Sequence, residues 1–132
     1  MKKVILPIIF LSFLISGCSK ENISIDPDNF LIGIWNYSDY QNNTTIFTRN
    51  NEFINNHCYQ FNSDGTLTER KNSGWCGTPP ISYADYSGTW TFLNDTLIHI
   101  NVGYWGGTTS YKLNIEAVDS KSLKASYVPE DN

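Results

Sequence analysis

The feature that most limits what this 132-residue chain can fold into is a succession of short segments, each apolar on one face and bounded by turn residues. About eight follow one another, at roughly 31–38, 44–49, 53–62, 66–71, 86–93, 97–102, 108–116 and 122–128. Turn signals recur at intervals of roughly 8 to 12 residues, the spacing of an all-β sandwich or barrel. Successive strand side chains face opposite sides, so Phe53, His57, Tyr59 and Phe61 share one face of the third segment and Cys58 lies on the other. Trp90 and Phe92, then Tyr111, Leu113 and Ile115, then Leu123, Ala125 and Tyr127 mark the apolar faces of later segments. Aromatic residues at 14% suit strands. Nine Lys+Arg against thirteen Asp+Glu argue against a phosphate-binding surface, so nucleic acid is not expected as a partner.

Short antiparallel strands must hide their edges, and eight of them can do so by closing on themselves. The expected fold is therefore all-β, an antiparallel up-and-down meander of about eight strands closing into a β-barrel. A barrel of that size is filled by side chains or holds one small ligand. Its register can be tested at the 61–67 hairpin. A two-residue loop would set Phe61 against Thr68, apolar against polar, whereas a three-residue loop with Gly65 in the left-handed conformation sets Phe61 against Leu67. The second is expected, and it turns Cys58 outward, within reach of a loop folded over the wall.

The N-terminus has a different character. Lys2-Lys3, an apolar stretch of about a dozen residues and Ser16-Gly17 form a secretory leader too short to span a bilayer. Ile15-Ser16-Gly17-Cys18 resembles the bacterial lipobox, which implies cleavage before Cys18 and lipidation of that cysteine, with palmitate-like acyl chains as the anchor. The expected organisation is a cleaved leader at 1–17, a lipidated tether at 18–29 and a barrel at 30–132. Loss of Lys2 and Lys3 would leave 115 residues with a formal charge of −6. Ser19-Lys20-Glu21 looks like the export tag of surface lipoproteins of Bacteroidota, which implies the cell envelope, anchored by lipid to the outer membrane.

Lipidation of Cys18 leaves Cys58 and Cys76 as an even pair in a compartment that permits disulfides, and a bridge between them is expected. No metal site is expected, because His57 beside Cys58 has only His99 as a further imidazole and no CxxC or HxxxH spacing occurs. Cofactors are not expected either.

Gly33-Ile34-Trp35 looks like the Gly-x-Trp that opens lipocalin barrels. With Tyr59-Gln60-Phe61-Asn62-Ser63-Asp64-Gly65-Thr66 and a second Gly-x-Trp at Gly88-Thr89-Trp90, the order resembles the small lipocalin-like lipoproteins of Bacteroidota over about residues 30–128. The resemblance implies a lipocalin-like barrel. The chain is shorter than true lipocalins and shows no helix signal after the last strand, which argues for little room inside.

Catalysis is not expected. No Gly-x-Ser-x-Gly turn accompanies the two histidines, and the acids fall mostly in turns and ends, such as Asp39, Asp64, Asp95, Asp119 and Glu130. Trp35, Tyr59, Phe61, Trp90, Phe92 and Tyr111 face the interior, with His57 as a polar handle; they form either a filled core or the lining of a pocket for a small apolar or amphipathic ligand. In a strict meander the loops near 49–52, 72–85 and 103–107 share the end at which the chain enters at residue 30. Trp75, Tyr104 and Trp105 would then lie together there, where they either plug the barrel or present an interaction surface for a protein or glycan.

Overall fold

The computed structural model describes residues 29–74 and 78–130. The leader at 1–17, Cys18, the tether up to residue 28, Trp75 and Cys76 lie outside the described residues. Eight strands form: β1 (Gly33–Gln41), β2 (Thr44–Asn50), β3 (Cys58–Phe61), β4 (Thr66–Asn72), β5 (Tyr83–Phe92), β6 (Leu97–Tyr104), β7 (Gly107–Val118) and β8 (Ser122–Val128). All pairings are antiparallel, and the sheet closes into a lipocalin-like barrel with no helix among the described residues.

Strands β3 to β8 form a meander, each paired with the next. The first two strands are interchanged relative to chain order. β1 lies between β2 and β3, and β2 closes the barrel against β8. Residues 51–57 therefore cross the outer face of β1 to join β2 to β3. They cannot extend β3 to the expected start at residue 53, because their polar side chains bind their own backbone: the N–H groups of Asn51 and His57 donate to the side-chain oxygens of Asn50 and Asn56. The crossing segment is fastened from beneath, where Asn36 Nδ2 and Arg70 Nη1 donate to the carbonyls of Glu52 and Ile54 at 2.9 and 3.0 Å. Phe53, expected on the inner face, sits outside with the Arg70 guanidinium 5.0 Å from its ring centre.

The β3–β4 turn takes the three-residue form. Phe61 pairs with Leu67, Gly65 has φ of 85°, and Asp64 accepts from the Thr66 N–H at 2.9 Å. The register then runs Tyr59 against Glu69 and Cys58 against Arg70.

The core is a line of aromatic contacts along the barrel axis, with ring centres 5.3 to 5.6 Å apart from Phe47 through Tyr59 and Phe61 to Trp90. Trp35, Phe61, Ile98, Ile100 and Leu123 are wholly buried around it. Both Gly-x-Trp tryptophans use their indole N–H groups on backbone, Trp35 on the Leu31 carbonyl and Trp90 on those of Asn62 and Thr66. Arg49 lies 4.2 Å over the Trp35 ring and donates to the carbonyls of Ile32 and Phe30, sealing the end at which the chain enters. Gly88 is required by close approach, since a Cβ there would stand 2.3 Å from the Asn101 carbonyl oxygen on β6.

Placing β1 between β2 and β3 changes which loops share an end. The 62–65, 93–96 and 119–121 turns lie at the sealed end with residues 30–32. Residues 73–74 and 78–82, the Trp105-Gly106 turn and the start of β3 lie at the opposite end, so the expected grouping of Tyr104 and Trp105 with the chain's point of arrival does not hold.

Candidate functional site

That opposite end is open, and its floor is built by the hairpin register just described. Two residues on from the Phe61–Leu67 pair, Tyr59 faces Glu69 inside the barrel; two residues further out again stand His57 and Lys71. Glu69 is 4% exposed, a carboxylate inside an aromatic core, tolerable only if paired. His57 Nε2 lies 2.9 Å from its Oε1, and Lys71 Nζ lies 2.9 Å from its Oε2. Burial is the largest single influence and would raise the Glu69 carboxyl, but the hydrogen bond and charge of His57, with those of Lys71, together outweigh it and hold Glu69 below the ordinary carboxylate range. Beside it the hydroxyls of Tyr59 and Tyr111 meet at 2.5 Å, and burial pushes both phenols well above their usual value.

A cavity of about 180 Å³ opens next to this group. Phe47, Tyr59, Tyr111 and Tyr127 give it aromatic walls, Leu113 and Ala125 an aliphatic side, and Glu69 and His57 its polar floor. Tyr127 forms the rim at 63% exposure, with its ring centre 5.3 Å from that of Tyr111. A second, shallower depression of about 280 Å³ lies at the same end between Lys71, Asn72, Tyr104, Trp105 and Thr109.

Of the interior residues expected from the sequence, the structure brings His57, Tyr59 and Tyr111 to the cavity. Trp35, Phe61 and Trp90 belong to the filled core below it. Phe92 is 44% exposed beyond the sealed end and lines nothing inside, because the barrel wall ends at its pairing with Ile98. Trp105 is 53% exposed and Tyr104 packs edge-on against it at 5.6 Å, so Trp105 does not plug the barrel. Cys58 faces the outer side as expected but is wholly buried under the crossing segment, 3.6 and 3.3 Å from the carbonyls of Ile54 and Asn56, and its thiol is pushed up chiefly by burial. No group of three or more His, Cys, Asp or Glu residues stands together to hold a metal ion among the described residues.

Sequence reasoning missed Glu69, Lys71 and Phe47, and put Tyr127 on an apolar strand face without assigning it to the site. The signal for the first two was present, since continuing the 61–67 register by two and four residues turns both inward.

No family model, curated protein or solved structure matches the chain. Its own geometry is therefore the ground for a functional reading.

Proposed function

We propose that this protein is a cell-envelope lipoprotein, freed of its leader at 1–17 and anchored to the outer membrane through acylated Cys18, whose barrel binds one small amphipathic ligand. Its role is binding rather than catalysis, and it needs no cofactor. The observation that carries the reading is the cavity at the open end, where a buried carboxylate, a histidine and two tyrosine hydroxyls converge beside aromatic walls. A polar cluster beside aromatic walls is the usual make-up of a small-molecule site. The Gly-x-Trp and lipobox resemblances support the anchored-barrel reading.

The eight strands among the described residues lie within residues 33–128, so the chain from residue 19 onward retains all of them. Native mass spectrometry of residues 19–132 purified from its host is expected to show a stoichiometric small molecule, lost on denaturation. Repeated absence of any bound mass, with no uptake from candidate mixtures, counts against binding. The anchor is tested separately: Cys18→Ser should move the full chain from the membrane to the soluble fraction, and unchanged partitioning would refute acylation there. A Cys58–Cys76 bridge would appear as a two-dalton mass difference on reduction.

A second reading rests on the exposure of Trp105. Tyr104 and Trp105 rim the depression beside Lys71, as in a module that grips a protein or glycan. Replacing both with Ser should then abolish capture of a partner while leaving the thermal unfolding of the barrel unchanged.

A further inference from the structure

We infer that the ligand is an uncharged aromatic molecule of one or two fused rings carrying a single hydroxyl or ring N–H, of the phenol or indole class. This rests on the small-ligand reading above and narrows it by size, wall chemistry and charge.

Size comes first. The cavity holds about 180 Å³, where drug-sized ligands need upwards of about 300 Å³. A space of about 150 Å³ accepts one benzene ring, so a ring with one small substituent fits and a long acyl chain does not. The walls favour a flat guest. Phe47 and Tyr59 already meet edge to face at 5.5 Å, and Tyr111 and Tyr127 are tilted by 40° at 5.3 Å, leaving ring faces and edges on two sides of the space. Rings set between such surfaces gain offset or edge contacts beyond their buried area.

Charge is decided by the floor. Both carboxylate oxygens of Glu69 are occupied, one by His57 and one by Lys71. An incoming ammonium would have to displace Lys71 or sit beside it, and an incoming carboxylate would meet Glu69; each would lose its hydration without gaining an unpaired opposite charge. A neutral guest incurs neither cost. What the floor does offer is hydroxyl chemistry, since the Tyr59 and Tyr111 oxygens can both donate and accept. A ligand with one hydroxyl or N–H completes that chain, and a bare hydrocarbon ring does not.

The test is a set of titrations on residues 19–132 by isothermal calorimetry, with p-cresol, indole, toluene, benzylamine, benzoate and decanoate as probes. p-Cresol and indole are expected to bind one to one, at least tenfold more tightly than the other four. Tyr59→Phe and Tyr111→Phe keep the rings and remove the hydroxyls, and should each cost p-cresol about tenfold while leaving toluene unchanged; Ala125→Leu should block p-cresol by filling the cavity. Tighter binding of the amine, of either carboxylate or of toluene would overturn this ligand class and leave the small-ligand reading standing. If no probe binds and the purified protein carries no molecule, both fall.

Discussion

Glu69 is one of two buried polar or charged residues among the described ones, the other being Asn36. A lone carboxylate at that depth would be expelled or neutralised, so its place depends wholly on His57 and Lys71, with the Tyr59 and Tyr111 hydroxyls alongside. Its carboxyl titrates lower folded than unfolded. The stability it contributes is therefore complete above the unfolded value of about 4.3 and is lost as acid lowers the pH through the folded value. Glu69→Gln should cost about 2 to 3 kcal/mol at neutral pH, through loss of hydrogen bonds to a charged group and an uncompensated Lys71. Thermal melts should also show a shallower loss of stability for the variant in acid. Asp64, Asp85 and Asp119 are lowered too, so the difference between the two proteins isolates Glu69; parallel pH profiles would mean that the pairing contributes nothing. Glu69 was half legible in the sequence. Thr66-Leu67-Thr68-Glu69-Arg70-Lys71 reads as a polar strand, and only the alternation set by inward Leu67 turns Glu69 toward the core. Of its partners, Lys71 follows two residues on along the same strand, but His57 ends the crossing segment before β3, and no local pattern announces that it meets Glu69.

At the scale of elements, turns were more legible than strand limits. The 61–67 register followed from matching apolar faces, and it holds. The β1–β2 turn uses Asn42 and Asn43, both at positive φ of 52° and 64°, in the conformation that a tight hairpin requires and asparagine tolerates. Alanine at both positions should lower stability by roughly 1 kcal/mol each, while Asn43→Gly should be neutral or stabilising by a few tenths of a kcal/mol; urea titration of the three proteins checks the order. The 51–57 segment escaped the sequence pattern. Phe53, His57, Tyr59 and Phe61 fall on one alternating face and so resemble a continuous strand, yet Asn50 and Asn56 turn to their own backbone, and the carbonyls of Glu52 and Ile54 are claimed by Asn36 and Arg70.

For the whole molecule, closure rests on β8, which pairs with both β7 and β2 and so joins the end of the chain to its beginning. Removing residues 122–130 would leave two open edges and uncover the faces that Leu123 and Ala125 bury. That truncation should abolish cooperative unfolding and produce aggregates on gel filtration. A cooperatively folded monomer would show that closure is dispensable. Loop grouping also belongs to this scale. One interchange of neighbours, β1 with β2, sends the aromatic hairpin to the open mouth while Arg49 and Trp35 seal the other end.

Alternation and turn chemistry are local, and by themselves they determined that the chain is an all-β barrel of eight antiparallel strands, with one hairpin in a known register and aromatics inside. Which strand lies between which depends on contacts among residues far apart in the chain, and these have no periodic signature. Tertiary structure alone decided that residues 51–57 cross over β1, that the open end is opposite the chain's point of arrival, and that a buried glutamate lies beneath the cavity there. The physical reason is the same throughout: burying a charge or crossing a strand is unfavourable in isolation, and becomes possible only when the folded chain brings partners such as His57, Asn36 and Arg70 into place.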